Sequence, residues 1–260
     1  MLKIAIDAGH GLYTYGKRCM KALDGNETRE WYLNDRIADK LERILSNYDC
    51  NVLRVDDTTG KKDISLSNRC WAANNFKADV YISIHHNAGV NGGSGGGTIV
   101  YYYSSNVARN NQAIELYNKI VNQTGLIGNR SSRVIKNGFY VLKNTNMAAF
   151  LIENGFMDSR TDVPVILSEA HADKTVQGIL NWLIDEFGLV KKSVDLDFNY
   201  TPGLSVGDTV QVIKNVTYEG NVFKLWHKKY TVLSLKSDRA VIGVNGVITA
   251  AVNVNNLKKV

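Results

Sequence analysis

The chain has 260 residues, of which 44% are hydrophobic and 22% charged, and its net charge is +6. This balance lies close to the soluble globular average and excludes a disordered or fibrous chain. No apolar run approaches the roughly 20 residues needed to span a bilayer, so membrane insertion is not expected. The length suits one domain of about 180 residues followed by a smaller one.

Charge and cysteines narrow the picture further. Residues 190–260 hold ten Lys and Arg against five acids, so the tail carries most of the net charge. A basic module beside a nearly neutral one points to a partner rich in anionic groups, nucleic acid or an anionic cell wall. Cys19, Cys50 and Cys70 are an odd set at wide spacings with no CxxC pair, which predicts free thiols rather than a disulfide framework or a zinc knuckle. The N-terminus has one lysine and a short apolar segment broken by Asp7, too short and too early for a secretory leader.

The first 189 residues alternate between strand-like and helix-like segments. Leu2–Asp7 is an apolar strand running into a Gly-His-Gly turn. Glu30–Tyr48 carries apolar residues at 33, 37, 38, 41, 44 and 45, the spacing of a one-sided helix. Asn51–Val55 reads as a short strand, Ser65–Phe76 as a helix and Ala78–His85 as a strongly apolar strand. A glycine-rich loop, Gly89–Gly97, follows. Thr98–Tyr103 is then a strand, Ala108–Thr124 a helix, Phe139–Leu142 and Ala148–Ile152 two short strands, and Val163–Phe187 one or two helices. This alternation predicts an α/β layer structure around a largely parallel, buried sheet. Residues 188–203, with Lys-Lys and Pro202, read as a linker. Beyond it come alternating runs at Asp208–Ile213, Lys229–Leu235, Arg239–Val244 and Val247–Val254, which predict a small β-barrel.

Five histidines can be weighed singly. His10 follows the first strand and His85 ends another, both at carboxyl tips, where open α/β sheets place their sites. His86 follows His85 and faces the opposite way in a strand, and pattern alone does not choose between them. His171 sits in a polar helical stretch and reads as solvated; His227 belongs to the basic tail. Glu27 and Glu30 both stand near the start of the first helix, where the helix dipole also favours a carboxylate. Glu153 ends an apolar strand before Asn-Gly-Phe, where a charge is costly unless paired or used; Arg69 is a candidate partner.

With these residues in view, the chain resembles the zinc amidases of the Amidase_3 type, typified by bacterial autolysins and phage endolysins. The likeness covers roughly residues 1–187. It rests on Ile-Asp-Ala-Gly-His-Gly ending at Gly11, on a Glu followed four residues later by Asn, and on L-x-x-R-x-x-x-A-N over 66–74. A-D-x-x-I-S-I-H-x-N-A over 78–88 and I-E-N-G-F over 152–156 complete it. Two departures stand out: Met147-Ala-Ala where the family usually has a proline, and Ser159 where it usually has Asn.

The resemblance implies a twisted, mostly parallel six-stranded sheet flanked by helices. It implies Zn2+ held by His10, Glu30 and His85, with Glu27 as the alternative to Glu30, and Glu153 as the catalytic acid. The implied reaction is hydrolysis of the amide between N-acetylmuramic acid and L-alanine in bacterial peptidoglycan. The tail is similar, over a shorter match, to bacterial SH3-like modules. That likeness implies that residues 204–260 form a wall-binding domain, with Tyr218, Trp226 and Tyr230 as possible contacts, and that peptidoglycan rather than nucleic acid is the partner. The expectation is a phage-type endolysin made in the host cytoplasm and acting on the wall after release. The alternatives are a host autolysin or sporulation amidase, and a non-catalytic wall-binding protein.

Overall fold

The computed structural model describes residues 1–104, 106–192 and 203–260. The chain divides into two compact units, Met1–Lys192 and Ser193–Val260. Positions 193–202, most of the expected linker, lie outside the described residues.

The first unit runs β1 (Leu2–Ala8), α1 (Glu30–Leu45), β2 (Cys50–Arg54), α2 (Leu66–Phe76), β3 (Val80–Asn87), β4 (Thr98–Tyr102) and α3 (Val107–Thr124). It continues with β5 (Val134–Lys136), α4 (Tyr140–Lys143), β6 (Ala148–Phe156), α5 (Val163–Ile166) and α6 (Glu169–Phe187). Its six strands are ordered β2-β1-β3-β6-β4-β5. Every neighbouring pair is parallel except β4 with β6.

Local chemistry sets the helix ends. Ser65, Asn106 and Ser168 each accept a backbone N–H in the first turn of α2, α3 and α6. Gly125 and Gly188 close α3 and α6 in the left-handed conformation that costs glycine nothing.

Both faces of the sheet are covered. Even-numbered residues of the central strands (Ile4, Ile6, Ala8; Val80, Ile82, Ile84; Ala148, Phe150, Ile152) pack into one core with residues of α1, α3 and α6. Odd-numbered ones (Ala5; Tyr81; Ala149, Leu151) pack into a second core with Cys70 and Ala73 of α2 and Val141 and Leu142 of α4. Burial on both faces explains why these strands read as continuous apolar runs rather than alternating ones.

One expected strand is a helix. Phe139 precedes a single helical turn, and its carbonyl accepts the N–H of both Leu142 and Lys143 at 3.0 Å. Consecutive Val141 and Leu142 both enter the second core, which a pleated strand would not permit because it turns successive side chains to opposite faces. The three-residue β5 is too short to leave a periodic signal. Cys19 and Cys70 are buried, Cys50 is half-buried, and all three thiols are free. No described helix is long and apolar enough to cross a membrane.

The second unit is an all-β antiparallel sheet of β7 (Thr209–Val212), β8 (Tyr230–Lys236), β9 (Arg239–Val244), β10 (Val247–Asn253) and β11 (Leu257–Lys259), ordered β10-β9-β8-β7-β11. Its core takes residues at a spacing of two, Val210 and Val212, Ala240 and Ile242, Ala250 and Val252, as one-sided strands require. Tyr230 is buried in this core, and its hydroxyl accepts the N–H groups of Trp226 and His227, both at 3.1 Å. Trp226 itself is 69% exposed, with the Lys224 ammonium 4.3 Å from the centre of its ring. Tyr218 donates to Asp238.

Candidate active site and metal centre

The carboxyl ends of β1, β3 and β6 meet the N-terminus of α1. Strand parity chooses between the two adjacent histidines. His85 shares the odd-numbered face with Asp7, Ser83 and Glu153, whereas His86 turns under α1, 2% exposed, with its Nδ1 2.8 Å from Asn34 Oδ1. The Oε1 atom of Glu30 lies 3.1 Å from His85 Nδ1 and 3.3 Å from His10 Nε2. The two imidazoles meet edge to face, with ring centres 5.0 Å apart. One ligand atom from each of His10, Glu30 and His85 falls within 4.8 Å of the others. Glu27 is not part of this group. Its carboxylate pairs with Arg18 and Lys21 outside it.

Glu30 is 1% exposed, and its second oxygen is buried without a hydrogen-bond partner. Burial alone would push its carboxyl up, but hydrogen bonds and charge from His10 and His85 hold it well below the usual range. Two imidazoles and a carboxylate around a buried, under-satisfied oxygen are ligand atoms that could hold a metal ion, and they match the kind of donor set that catalytic zinc sites use.

The surroundings hold this geometry. Glu30 and Asn34 share one face of α1, and Asn34 donates to the Gly9 carbonyl at 3.1 Å while facing His86. A Cβ on Gly9 would overlap the His85 ring, so only glycine lets the turn pass beneath that imidazole. His10 takes a positive φ of 67°, uncommon for a residue with a Cβ. Arg69 fixes it there: fully buried, it donates to the Ala8 carbonyl at 2.8 Å, the His10 carbonyl at 2.9 Å and the Asp7 carboxylate. Asp7 also accepts from Tyr81 and Ser83. Burial would raise the Asp7 carboxyl, but the charges of Arg69 and His85 and the hydrogen bonds from Ser83 and Arg69 leave it lowered.

Glu153 pairs in register with His85 across β3 and β6. Arg69 is committed to β1, Asp63 and the Ile64 carbonyl, so it does not neutralise Glu153 as the sequence suggested. One Glu153 oxygen is buried with no hydrogen-bond partner. Burial, reinforced by the Glu30 charge, pushes the carboxyl up to about 7, where it can both take and return a proton near neutrality.

Two cavities flank the cluster. One, of about 630 Å³, is lined on its apolar side by Ile64, Leu66, Phe139, Tyr140, Val141 and Leu151; the other, of about 330 Å³, by Tyr15, Asn87, Ala88 and Met157 among others. The Gly89–Gly97 loop, which follows Ala88 of the second lining, is held in place. Asp158 Oδ2 accepts the N–H groups of Gly89, Val90 and Asn91 at 2.7–2.9 Å, and Asp162 Oδ2 accepts that of Gly97 at 2.7 Å. His171, expected to be solvated, is 3% exposed and sits behind β6, its Nε2 3.2 Å from the Asn154 carbonyl. Burial draws its value down to about 4. Its helix packs against the sheet with a wider apolar face than the local Ser-Glu-Ala-His-Ala-Asp stretch suggests.

Residues 4–185 match the N-acetylmuramoyl-L-alanine amidase family Amidase_3. The chain belongs to this family. Among similar proteins, the sporulation-specific N-acetylmuramoyl-L-alanine amidase of Bacillus subtilis is 33% identical over 193 residues, 74% of this chain and 71% of that protein. The endolysin of Bacillus phage SPP1 is 28% identical over 72% of this chain and 67% of its own length. The crystal structure of N-acetylmuramoyl-L-alanine amidase from Clostridium difficile 630 superposes with a TM-score of 0.64 at 31% identity, covering 72% of this chain and 97% of that one. Within this amidase family frame, the sequence motifs acquire physical reasons. The Glu-to-Asn spacing puts Glu30 and Asn34 on one helix face, and Arg69 is the brace of the His10 turn. Lys17, which also lines both cavities, was not singled out by the sequence; a lone cation between Gly16 and Arg18 leaves no pattern.

Proposed function

We propose that this amidase hydrolyses the amide between the lactyl group of N-acetylmuramic acid and L-alanine of the stem peptide, with zinc held by His10, Glu30 and His85. The observation that carries this reading is the convergence of those three side chains beside Glu153, whose carboxyl is buried and poised near neutrality. Zinc in such a site supplies Lewis acidity, polarising a carbonyl and acidifying water toward a pKa of about 7. Glu153 accepts the proton of the attacking water as the new C–O bond forms. The same carboxyl then delivers that proton to the leaving nitrogen as the C–N bond breaks. Asn34 and Arg69 keep the ligand turn in place, and the two cavities receive the glycan and peptide arms on either side of the scissile bond. Mass spectrometry of digested peptidoglycan tests the reaction. A free lactyl carboxyl with a new N-terminal alanine is expected, and cleavage within the glycan or the peptide would overturn it.

The basic β unit, residues 204–260, is proposed to target the enzyme to an anionic wall. The exposed Trp226 beneath Lys224, fixed by the buried Tyr230 hydroxyl, supports this reading. Removing residues 193–260 is expected to spare hydrolysis of soluble muropeptides, because the first unit has its own cores, while weakening sedimentation with purified walls. Equal sedimentation of the two proteins would sink the targeting role.

The setting we propose is phage-type lysis, supported by the likeness to the SPP1 endolysin and by the pairing of two units. The likeness to a sporulation amidase favours the alternative of host wall remodelling. Faster fragment release from vegetative walls than from spore cortex is expected for the lytic role, and the reverse order for the sporulation role.

A further inference from the structure

Lys17 stands at the junction of the two cavities. Among the described residues three line both of them, His85, Glu153 and Lys17, and the first two already have proposed roles. The position of Lys17 is built in: its carbonyl accepts the first N–H of α1, from Glu30, at 3.0 Å. Arg18 bridges Arg29, and Cys19 donates to the Thr28 carbonyl at 2.8 Å, so the loop is stitched to the segment that delivers Glu30. The ammonium lies 3.6 Å from the partnerless oxygen of Glu30, its one ion-pair partner among the described residues. Its charge also reaches Glu153 and opposes the rise of that carboxyl.

A structural reading of this contact is weak. The Lys17–Glu30 distance exceeds a hydrogen bond, and although Glu30 is buried the lysine side chain is 43% exposed, so water screens the ammonium and weakens the pair. Chemistry is the stronger demand on the position. When water attacks the amide carbon, the carbonyl π pair moves onto oxygen, and that oxygen needs a cation or donor already in place. We propose that Lys17 is a catalytic residue whose ammonium binds this developing oxyanion at the mouth shared by the two cavities. The oxygen keeps its charge beside Lys17 until the C–N bond breaks and the electron pair returns to form the carboxyl. The proton of the attacking water travels through Glu153 to the amine, so Lys17 neither gains nor loses one.

The proposal rests on the amidase reading above, and its test separates the two. In the 260-residue chain loaded with zinc, Lys17→Met is expected to lower kcat on a soluble muropeptide by about 10²–10³-fold, the effect of removing one oxyanion donor. KM should change by no more than about twofold, and zinc content by mass spectrometry should not change. Affinity for a phosphonate analogue of the amide, which carries the tetrahedral anion without turnover, should fall in proportion to kcat. Lys17→Arg should recover much of both. A raised KM with unchanged kcat would assign Lys17 to ground-state recognition of a peptide carboxylate and overturn the proposal. Loss of zinc would make it a clamp on Glu30, with the same consequence. Unaltered phosphonate affinity in Lys17→Met overturns it without any turnover, whereas an unmodified protein that leaves the muramoyl amide intact overturns the amidase reading itself.

Discussion

Replacing Glu153 with Gln is expected to lower kcat for amide hydrolysis by about 10²–10⁴-fold, the contribution of a well-placed general base, while zinc content stays unchanged. Gln keeps the volume and the strand pairing with His85 but cannot take a proton. Retained lysis of purified walls would refute the assignment. A second readout follows from burial. The folded-state value of Glu153 is raised from 4.5 to about 7, so the protonated form is the one the fold prefers. Its contribution to stability is therefore complete below about pH 4.5 and is lost as pH rises through about 7. The metal-free Glu153→Gln protein should match the parent in Tm near pH 4 and exceed it above pH 7, by stability on the order of 3 kcal/mol. A carboxyl held in this way destabilises the fold, and the pH-dependent gap in Tm measures by how much.

The second large effect concerns the ligand cluster. His85→Ala is expected to abolish zinc retention after dialysis and to cost several kcal/mol of transition-state stabilisation, a loss of at least about 10³-fold in rate. His86→Ala is the informative partner experiment. His86 is buried against Asn34 on the opposite face of β3, so its removal should lower Tm through a cavity and a stranded amide while zinc remains bound. The reverse pattern, with zinc lost in His86→Ala and kept in His85→Ala, would refute the parity argument. Chelation of the unmodified protein should reproduce the activity loss, and added zinc should reverse it.

Much of this site was legible in the sequence because its chemistry sits at strand ends. His10, Glu153 and the His85–His86 pair each follow an apolar run at the carboxyl end of a strand, so their place at one sheet edge could be read from the sequence, while the choice of His85 over His86 needed the family resemblance. Helix-start chemistry alone does not separate Glu30 from Glu27, since both suit the start of a helix; the spacing to Asn34 favours Glu30, and in the structure Glu27 pairs with Arg18 and Lys21 instead. Long-range braces were less visible. Arg69 was noticed, but as a partner of Glu153. Its true partners are Asp7 and the backbone of the His10 turn, some 60 positions earlier, and no local rule links them. The helical turn at Tyr140–Lys143 was misread because four apolar-rich residues carry no period. His171 was misread because polar neighbours hid a wider buried face. In the second unit the strands followed their alternation closely, and Tyr230 proved to be core, so of the three aromatics first considered only Trp226 and Tyr218 stay at the surface.

The turn that follows Glu153 also supplies Asp158 and Asp162, the two carboxylates that grip the glycine-rich loop leaving His85. Strands β6 and β3 are thus tied together outside the sheet as well as within it. For anyone reshaping this enzyme toward a different wall architecture, the loop is not an independent cassette. A graft there must bring its own acceptors for those amides, or inherit Asp158 and Asp162 with their spacing intact, before any change in substrate preference can be ascribed to the new sequence.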